Sequence, residues 1–182
     1  MSRFTDYYSD GEVKDIMERI VEKFPNMFTG FDSDAFFFIT TKKKKSAKAI
    51  RLIPLAYPME AAINKPYMVE TYEARWKPMN PKQKNLAVFH IMCAIPEGGM
   101  DVGSKHYGKK VRPEITMYMR EFAASGGVPN WMENPAAVDP METTEEKMSE
   151  VVPGIDALPE SDGEGVGGEV VRAPASKGKK KA

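Results

Sequence analysis

The stretch Asn80–Ile95, NPKQKNLAVFHIMCAI, decides how this chain folds. Asn80 followed by Pro81 is typical of a helix start, because asparagine caps the first turn and proline fits the first helical position. From Leu86 onward the stretch is apolar all round, so the predicted helix should be central and buried. We therefore expect the other elements of the domain to pack around it.

The same helix carries one histidine, in the run His90-Ile91-Met92-Cys93-Ala94. In zinc peptidases with the motif HExxH, two histidines one turn apart bind the metal and the glutamate activates a water molecule. Here isoleucine stands at the position of the glutamate and alanine at that of the second histidine. A lone histidine in an apolar helix is more often a hydrogen-bonded core residue than a ligand. The run alone is therefore compatible with either an accident of spacing or a degenerate active site.

The rest of the chain predicts a small antiparallel sheet and two flanking helices, which is an α+β fold. Ser9 and Glu12 have the spacing of a capping box, and an apolar face indicates a helix that ends at Pro25. Pro113 opens a last helix that ends at Gly126-Gly127. Composition and alternation predict three strands, the second of which contains a proline typical of an edge strand. The strands are expected at Ala35–Thr40, Ala49–Leu55 and Tyr67–Tyr72, with a hairpin joining the first two.

The stretch that begins KQKNLAVFHIMCAIPEGGMDVG at Lys82 resembles the metallopeptidase domain of bacteriophage genomes. In that family a helix with HExxH runs into an Ile-Pro step, followed by a Gly/Asp-rich loop, a helix and an Asn-Trp-containing end. The upstream helix and strands fit as well, so the resemblance covers roughly residues 5 to 135. It implies a zincin-like domain, which we place at residues 1–138. Because the motif is degenerate, it also implies a pseudoenzyme without catalytic residues.

Few residues are candidates for a rebuilt zinc site. His90 matches the first ligand of the family motif, and Cys93, three residues later, can share its face of the helix. If the resemblance extends to the following loop, His106 lies where a third ligand could sit. The alternative is that Cys93 is a small buried hydrophobe, as free cysteines usually are. We expect no cofactor by default, and zinc is the one metal left open, in an atypical hydrolase with these ligands.

Two lysine clusters favour a different class of function. Such clusters can bind phosphates with little sequence preference, and nearby tyrosines can add stacking surfaces. Lysines in a hairpin turn are, however, most often solvated residues that protect an edge strand. Nucleic-acid binding is therefore the alternative to our main expectation, the binding of a protein partner such as a host factor. The clusters comprise Lys42, Lys43, Lys44 and Lys45, with Lys48 and Arg51, and then Lys105, Lys109, Lys110 and Arg112.

Composition indicates a single domain without a membrane segment. The chain has 182 residues, of which 42% are hydrophobic, and its net charge is zero. A single cysteine excludes an internal disulfide framework and suits a reducing cytoplasm, that of the host cell if the protein is phage-encoded. Residues 139–182 are acidic and rich in Pro and Gly, with a lysine-rich end, so we expect a disordered tail there. The oligomeric state stays open.

Overall fold

The computed structural model describes residues 7–9, 11–42, 48–111, 119–128, 131 and 134–153. In this part of the chain the strands form one four-stranded sheet, and helices surround it. The strands are β1 (Tyr7–Tyr8), β2 (Phe36–Thr41), β3 (Ile50–Pro54) and β4 (Tyr67–Tyr72). The α-helices are α1 (Glu12–Lys23), α2 (Met59–Ile63), α3 (Glu73–Trp76), α4 (Pro81–Cys93), α5 (Met119–Ala124) and α6 (Glu145–Val151), with 3-10 turns at Ser33–Ala35 and Pro140–Glu142.

The sheet is mixed, in the order β1-β2-β4-β3. β4 lies between β2 and β3, parallel to β2 and antiparallel to β3. The α+β class is confirmed, but the expected hairpin and the purely antiparallel sheet are wrong. β4 also carries the buried side chains Tyr67, Val69 and Thr71, and the strands on both sides pair its backbone N–H and C=O groups away from water. β3, which contains Pro54, takes the edge because proline has no N–H to donate.

Helix α4 is the buried centre of the domain, as predicted. Its first turn has a complete capping box. The backbone N–H of Gln83 donates to Asn80 Oδ1 (2.8 Å), and the backbone N–H of Asn80 donates to Gln83 Oε1 (3.1 Å). Phe89 packs edge-on against Phe24 of the α1 end (5.7 Å) and Phe28 (5.4 Å between ring centroids). Edge-to-face pairs stabilise a core beyond their buried area. The core therefore forms where α1 and the segment after it cross α4.

Helix α1 begins differently from the prediction. Gly11 is the N-cap and no side chain caps the first turn, so the capping box of Ser9 and Glu12 is wrong. Glu12 instead accepts hydrogen bonds from Trp76 Nε1 and Lys84 Nζ, each at 2.7 Å. Partial desolvation raises the pKa of Glu12, but these two hydrogen bonds and the positive charges of Lys84 and Arg19 together outweigh it, and the pKa is lowered. The charged carboxylate thus ties α1 to α3 and α4.

The ordered domain extends beyond the predicted boundary at residue 138. Asn85 Nδ2 donates to both carboxylate oxygens of Asp139 (3.0 and 3.1 Å), and Met148 and Val152 are buried. Residues 139–153 therefore pack against the domain, because a few well-placed apolar side chains stand in a stretch whose average composition is polar. Residues 154–182 lie outside the described residues. No helix in the described ranges is long and apolar enough to cross a bilayer.

Candidate functional site

His90 is held by a carboxylate that lies far from it in sequence. Its Nδ1 is 2.7 Å from Oε2 of Glu121 in α5, and its side chain is 41% exposed while that of Glu121 is 1% exposed. The other oxygen of Glu121 accepts a hydrogen bond from Nε1 of Trp131, which is also buried. We call these three side chains the histidine network. The buried carboxylate thus joins three separate segments of the chain.

The histidine network fixes the orientation of the imidazole. A carboxylate on one ring nitrogen is the usual support of a metal-binding histidine, and it is equally a way to satisfy a histidine in a core. The hydrogen bond between His90 Nδ1 and Glu121 sets which ring nitrogen of the neutral imidazole carries the proton. We did not predict Glu121 as a site residue. The available signal was an acidic residue among the apolar and small residues of a predicted helix.

The two positions to which the HExxH spacing from His90 would assign the glutamate and the second histidine belong to the hydrophobic core. Ile91 is 3% exposed and Ala94 is 1% exposed. A general base must reach the water that it activates, and a metal ligand must face an open position. In this chain both positions point into close-packed protein. Neither side chain therefore faces an open cavity.

The predicted zinc ligands do not form a set of three. In the ranges that the structure describes, no three His, Cys, Asp or Glu side chains are grouped so that they could hold a metal ion. His90, Cys93 and His106 all belong to those ranges. Cys93 is buried, which agrees with its reading as a small hydrophobe. His106 lies half-buried in the loop after α4, where its backbone N–H donates to Ser104 Oγ at 3.1 Å.

The loop after α4 is tied to the sheet. The hydroxyl of Tyr67 in β4 lies 3.1 Å from the carbonyl oxygen of Gly99 and 2.6 Å from that of Lys109. Burial raises the pKa of Tyr67, which keeps the hydroxyl a donor. A Cβ at position 99 would lie 2.7 Å from this hydroxyl, so only glycine permits the approach. The loop therefore has a fixed position beside the C-terminal end of α4.

This loop and the segment after α1 enclose a groove of about 690 Å³. Three exposed acids, Asp32, Glu97 and Asp101, line it, and we call them the acidic rim. Arg120 is the one cation among its described lining residues, and its Nη1 donates to the carbonyl oxygen of Met27 (3.4 Å). None of the predicted zinc ligands lines the groove. Its apolar lining includes Met27, Phe28, Phe31, Met92, Ile95 and Met100.

The described members of the two lysine clusters are exposed side chains. Partial desolvation and then the positive charges of Lys48 and Arg51 lower the pKa of Lys110. Lys42 lies 5.9 Å from the centre of the Tyr8 ring. Lys105 and Lys109 are exposed on the loop after α4. The remaining members, Lys43, Lys44, Lys45 and Arg112, lie outside the described residues.

Comparison with known proteins places the chain in a family. No curated protein and no solved structure matches it. A family model described as "Putative phage metallopeptidase" matches residues 5–123, which are 119 of the 182 residues. The matched range includes the sheet, the helix α4 with His90, and Glu121. Because the model matches more than half of its residues, the chain belongs to the family of putative phage metallopeptidases.

Proposed function

We propose that this chain is a non-hydrolytic member of its family and acts by binding a segment of a protein partner. The observation that carries the proposal is the burial of Ile91 and Ala94 at the positions of the general base and the second metal ligand. Isoleucine cannot accept a proton, and a side chain packed in the core cannot reach a metal-bound water. The usual route of peptide hydrolysis thus lacks two of its parts.

Glu121 does not replace the missing base. Its carboxylate is 1% exposed, and its two oxygens engage His90 Nδ1 and Trp131 Nε1. A general base needs a proton acceptor within hydrogen-bond reach of the attacking water. The position of Glu121 behind the imidazole suits a structural role in the core. This arrangement favours a binding protein over an atypical zinc hydrolase.

The volume and the lining of the groove favour a protein segment as the bound partner. Its volume of about 690 Å³ suits several side chains, and its methionines can adapt to different apolar partners. The acidic rim favours positive charge beside those apolar side chains. We infer that the groove takes a segment in which large apolar residues alternate with lysine or arginine. For a protein of a phage family, a host factor in the cytoplasm is the natural source of such a segment, and one free cysteine suits that compartment.

Neutralising the acidic rim should weaken binding of a basic and apolar peptide. The probe is a fluorescently labelled peptide of alternating lysine and leucine, measured by anisotropy at low salt. Because exposed charge pairs contribute about 0.2 to 1 kcal/mol each, the double variant Glu97→Gln, Asp101→Asn should bind up to about 30-fold more weakly. Asn retains the acceptor for the Gly103 N–H that Asp101 provides (3.0 Å).

The matched control is Glu146→Gln, which removes an exposed acid of α6 outside the lining of the groove. It should bind the peptide as the unaltered protein does. A peptide of alternating glutamate and leucine should not bind. The proposal fails if the basic peptide does not bind at all, or if the rim variant and the control bind it equally well.

Metal content should separate the binding protein from a zinc hydrolase. Protein purified without chelator or affinity metal is expected to hold far less than one zinc per chain, and His90→Ala is expected to give the same value. The reason is that His90, Cys93 and His106 are not grouped as three ligands. Elemental analysis measures this directly, with circular dichroism as the check that the variant folds. Near-stoichiometric zinc that disappears in His90→Ala would reverse the conclusion.

A further inference from the structure

The sheet topology gathers basic residues at one end of the sheet. β2 and β4 are parallel, and their last residues, Thr41 and Tyr72, are paired. β3 is antiparallel to β4 and begins at the same end, where Ile50 pairs with Thr71. Lys42, which follows β2, and Lys48, which precedes β3, therefore lie at one end of the sheet. The five residues 43–47 that join them include three lysines and lie outside the described residues.

Two further cations and two aromatic rings belong to the same surface. Arg51 of β3 follows Lys48 by three residues, and the positive charges of both act on Lys110 of the loop after α4. β1 pairs with the end of β2, which brings Tyr7 and Tyr8 to this end. Tyr7 is 37% exposed, and Lys42 lies over the ring of Tyr8. We call this surface the basic sheet end: Lys42, Lys48, Arg51, Lys110, Tyr7 and Tyr8.

One carboxylate offsets part of this charge. Glu70 of β4 stands opposite Arg51 in the strand register and accepts a hydrogen bond from the Tyr72 hydroxyl at 2.8 Å. Lys42, Lys48 and Lys110 are exposed, and the clustering of Lys48, Arg51 and Lys110 raises the local positive potential. Like charges held this closely repel one another, and a bound anion relieves the repulsion. The surface therefore favours an anionic partner.

We propose that the basic sheet end binds the phosphate backbone of a nucleic acid, with Tyr7 as a stacking surface for an unpaired base. Several cations on one surface can contact the phosphates of a strand, and binding would release counterions. An exposed aromatic ring beside them adds stacking that a single strand can use. A single-stranded nucleic acid fits both features, whereas an acidic protein uses the charge alone.

The part of this surface at the sheet end, with Lys42, Lys48, Tyr7 and Tyr8, is separate from the groove. Ala35, which lines the groove, precedes β2, and Lys42 follows it, so the two surfaces lie at opposite ends of that strand, roughly 20 Å apart. The groove is lined by acids and the basic sheet end by cations. Nucleic-acid binding at the basic sheet end can therefore be tested separately from the proposed peptide binding.

The test is binding of a labelled oligothymidylate of about 20 nucleotides, measured by anisotropy across a range of salt concentrations. The variant Lys48→Gln, Lys110→Gln should reduce the slope of log affinity against log salt by about 1.4, since each single-strand phosphate contact contributes about 0.7. At about 0.1 M salt this corresponds to an affinity roughly 20-fold lower. The control Lys147→Gln, an exposed lysine of α6, should leave both values unchanged.

A second variant tests the stacking surface. Tyr7→Ala should weaken binding of the single strand by about 5- to 150-fold, through lost stacking, and leave binding of a duplex nearly unchanged. Thermal melting confirms that the exposed substitutions leave the fold intact. No binding at about 50 mM salt, or unchanged binding by the double lysine variant, would overturn the proposal. Equally tight binding of polyglutamate would overturn it in favour of an acidic protein partner.

Discussion

Restoring the missing motif with Ile91→Glu and Ala94→His will destabilise the domain and will not create a peptidase. Both positions are almost fully buried, at 3% and 1% exposure. A buried carboxylate without a partner costs several kcal/mol, and a larger side chain in a packed core adds about 1 to 3 kcal/mol. The free energy of unfolding should therefore fall by about 4 kcal/mol or more, a large part of what a domain usually has.

Chemical denaturation measures this loss, and zinc uptake and cleavage of a fluorogenic peptide measure activity. The matched control is Val151→Glu, which places the same carboxylate on an exposed position of α6. This control should stay within about 0.5 kcal/mol of the unaltered protein. A stable double variant that binds zinc and cleaves peptide would show that side chains at positions 91 and 94 can reach a metal site, and would contradict our proposal that the protein is non-hydrolytic.

Removal of the Glu121 side chain is the second change with a large expected effect. Glu121→Ala deprives both His90 and Trp131 of a hydrogen-bond partner and leaves a cavity in the core. An unsatisfied buried donor and a cavity together cost about 3 kcal/mol. For a domain of this size that lowers the melting temperature by about 6 to 12 °C. The tryptophan emission should also shift, because Trp131 loses its carboxylate acceptor.

Two further variants separate the causes of that loss. Glu121→Gln retains the shape and an acceptor, so it should cost about half as much as Glu121→Ala. Glu146→Ala removes an exposed acid and should change stability by less than about 0.5 kcal/mol. A double-mutant cycle with His90→Ala should give a coupling of about 0.5 to 3 kcal/mol. Additive losses in this cycle, or a Glu121→Ala protein that melts like the unaltered one, would contradict the histidine network.

Local sequence patterns predicted most of the secondary structure. Asn80, Pro81 and Gln83 lie in one helical turn, so the start of α4 could be read from adjacent residues. The alternation in Tyr67–Tyr72 predicted β4 with its bounds. The strand order could not be read this way, because pairing of β4 with both β2 and β3 depends on which strand is most buried in the assembled domain. The short helices α2 and α3 were missed because they have too few turns to show a period.

The sequence by itself determined the family, the buried central helix and the difference between the run after His90 and HExxH, because all three are written in neighbouring residues. Only the tertiary structure decided that Glu121, 31 residues beyond His90, holds the imidazole, and that the Tyr67 hydroxyl holds the loop after α4. It also decided the groove and the packing of residues 139–153. The physical reason is that these features are contacts between distant segments, and the free energy that selects them comes from burial in the complete fold.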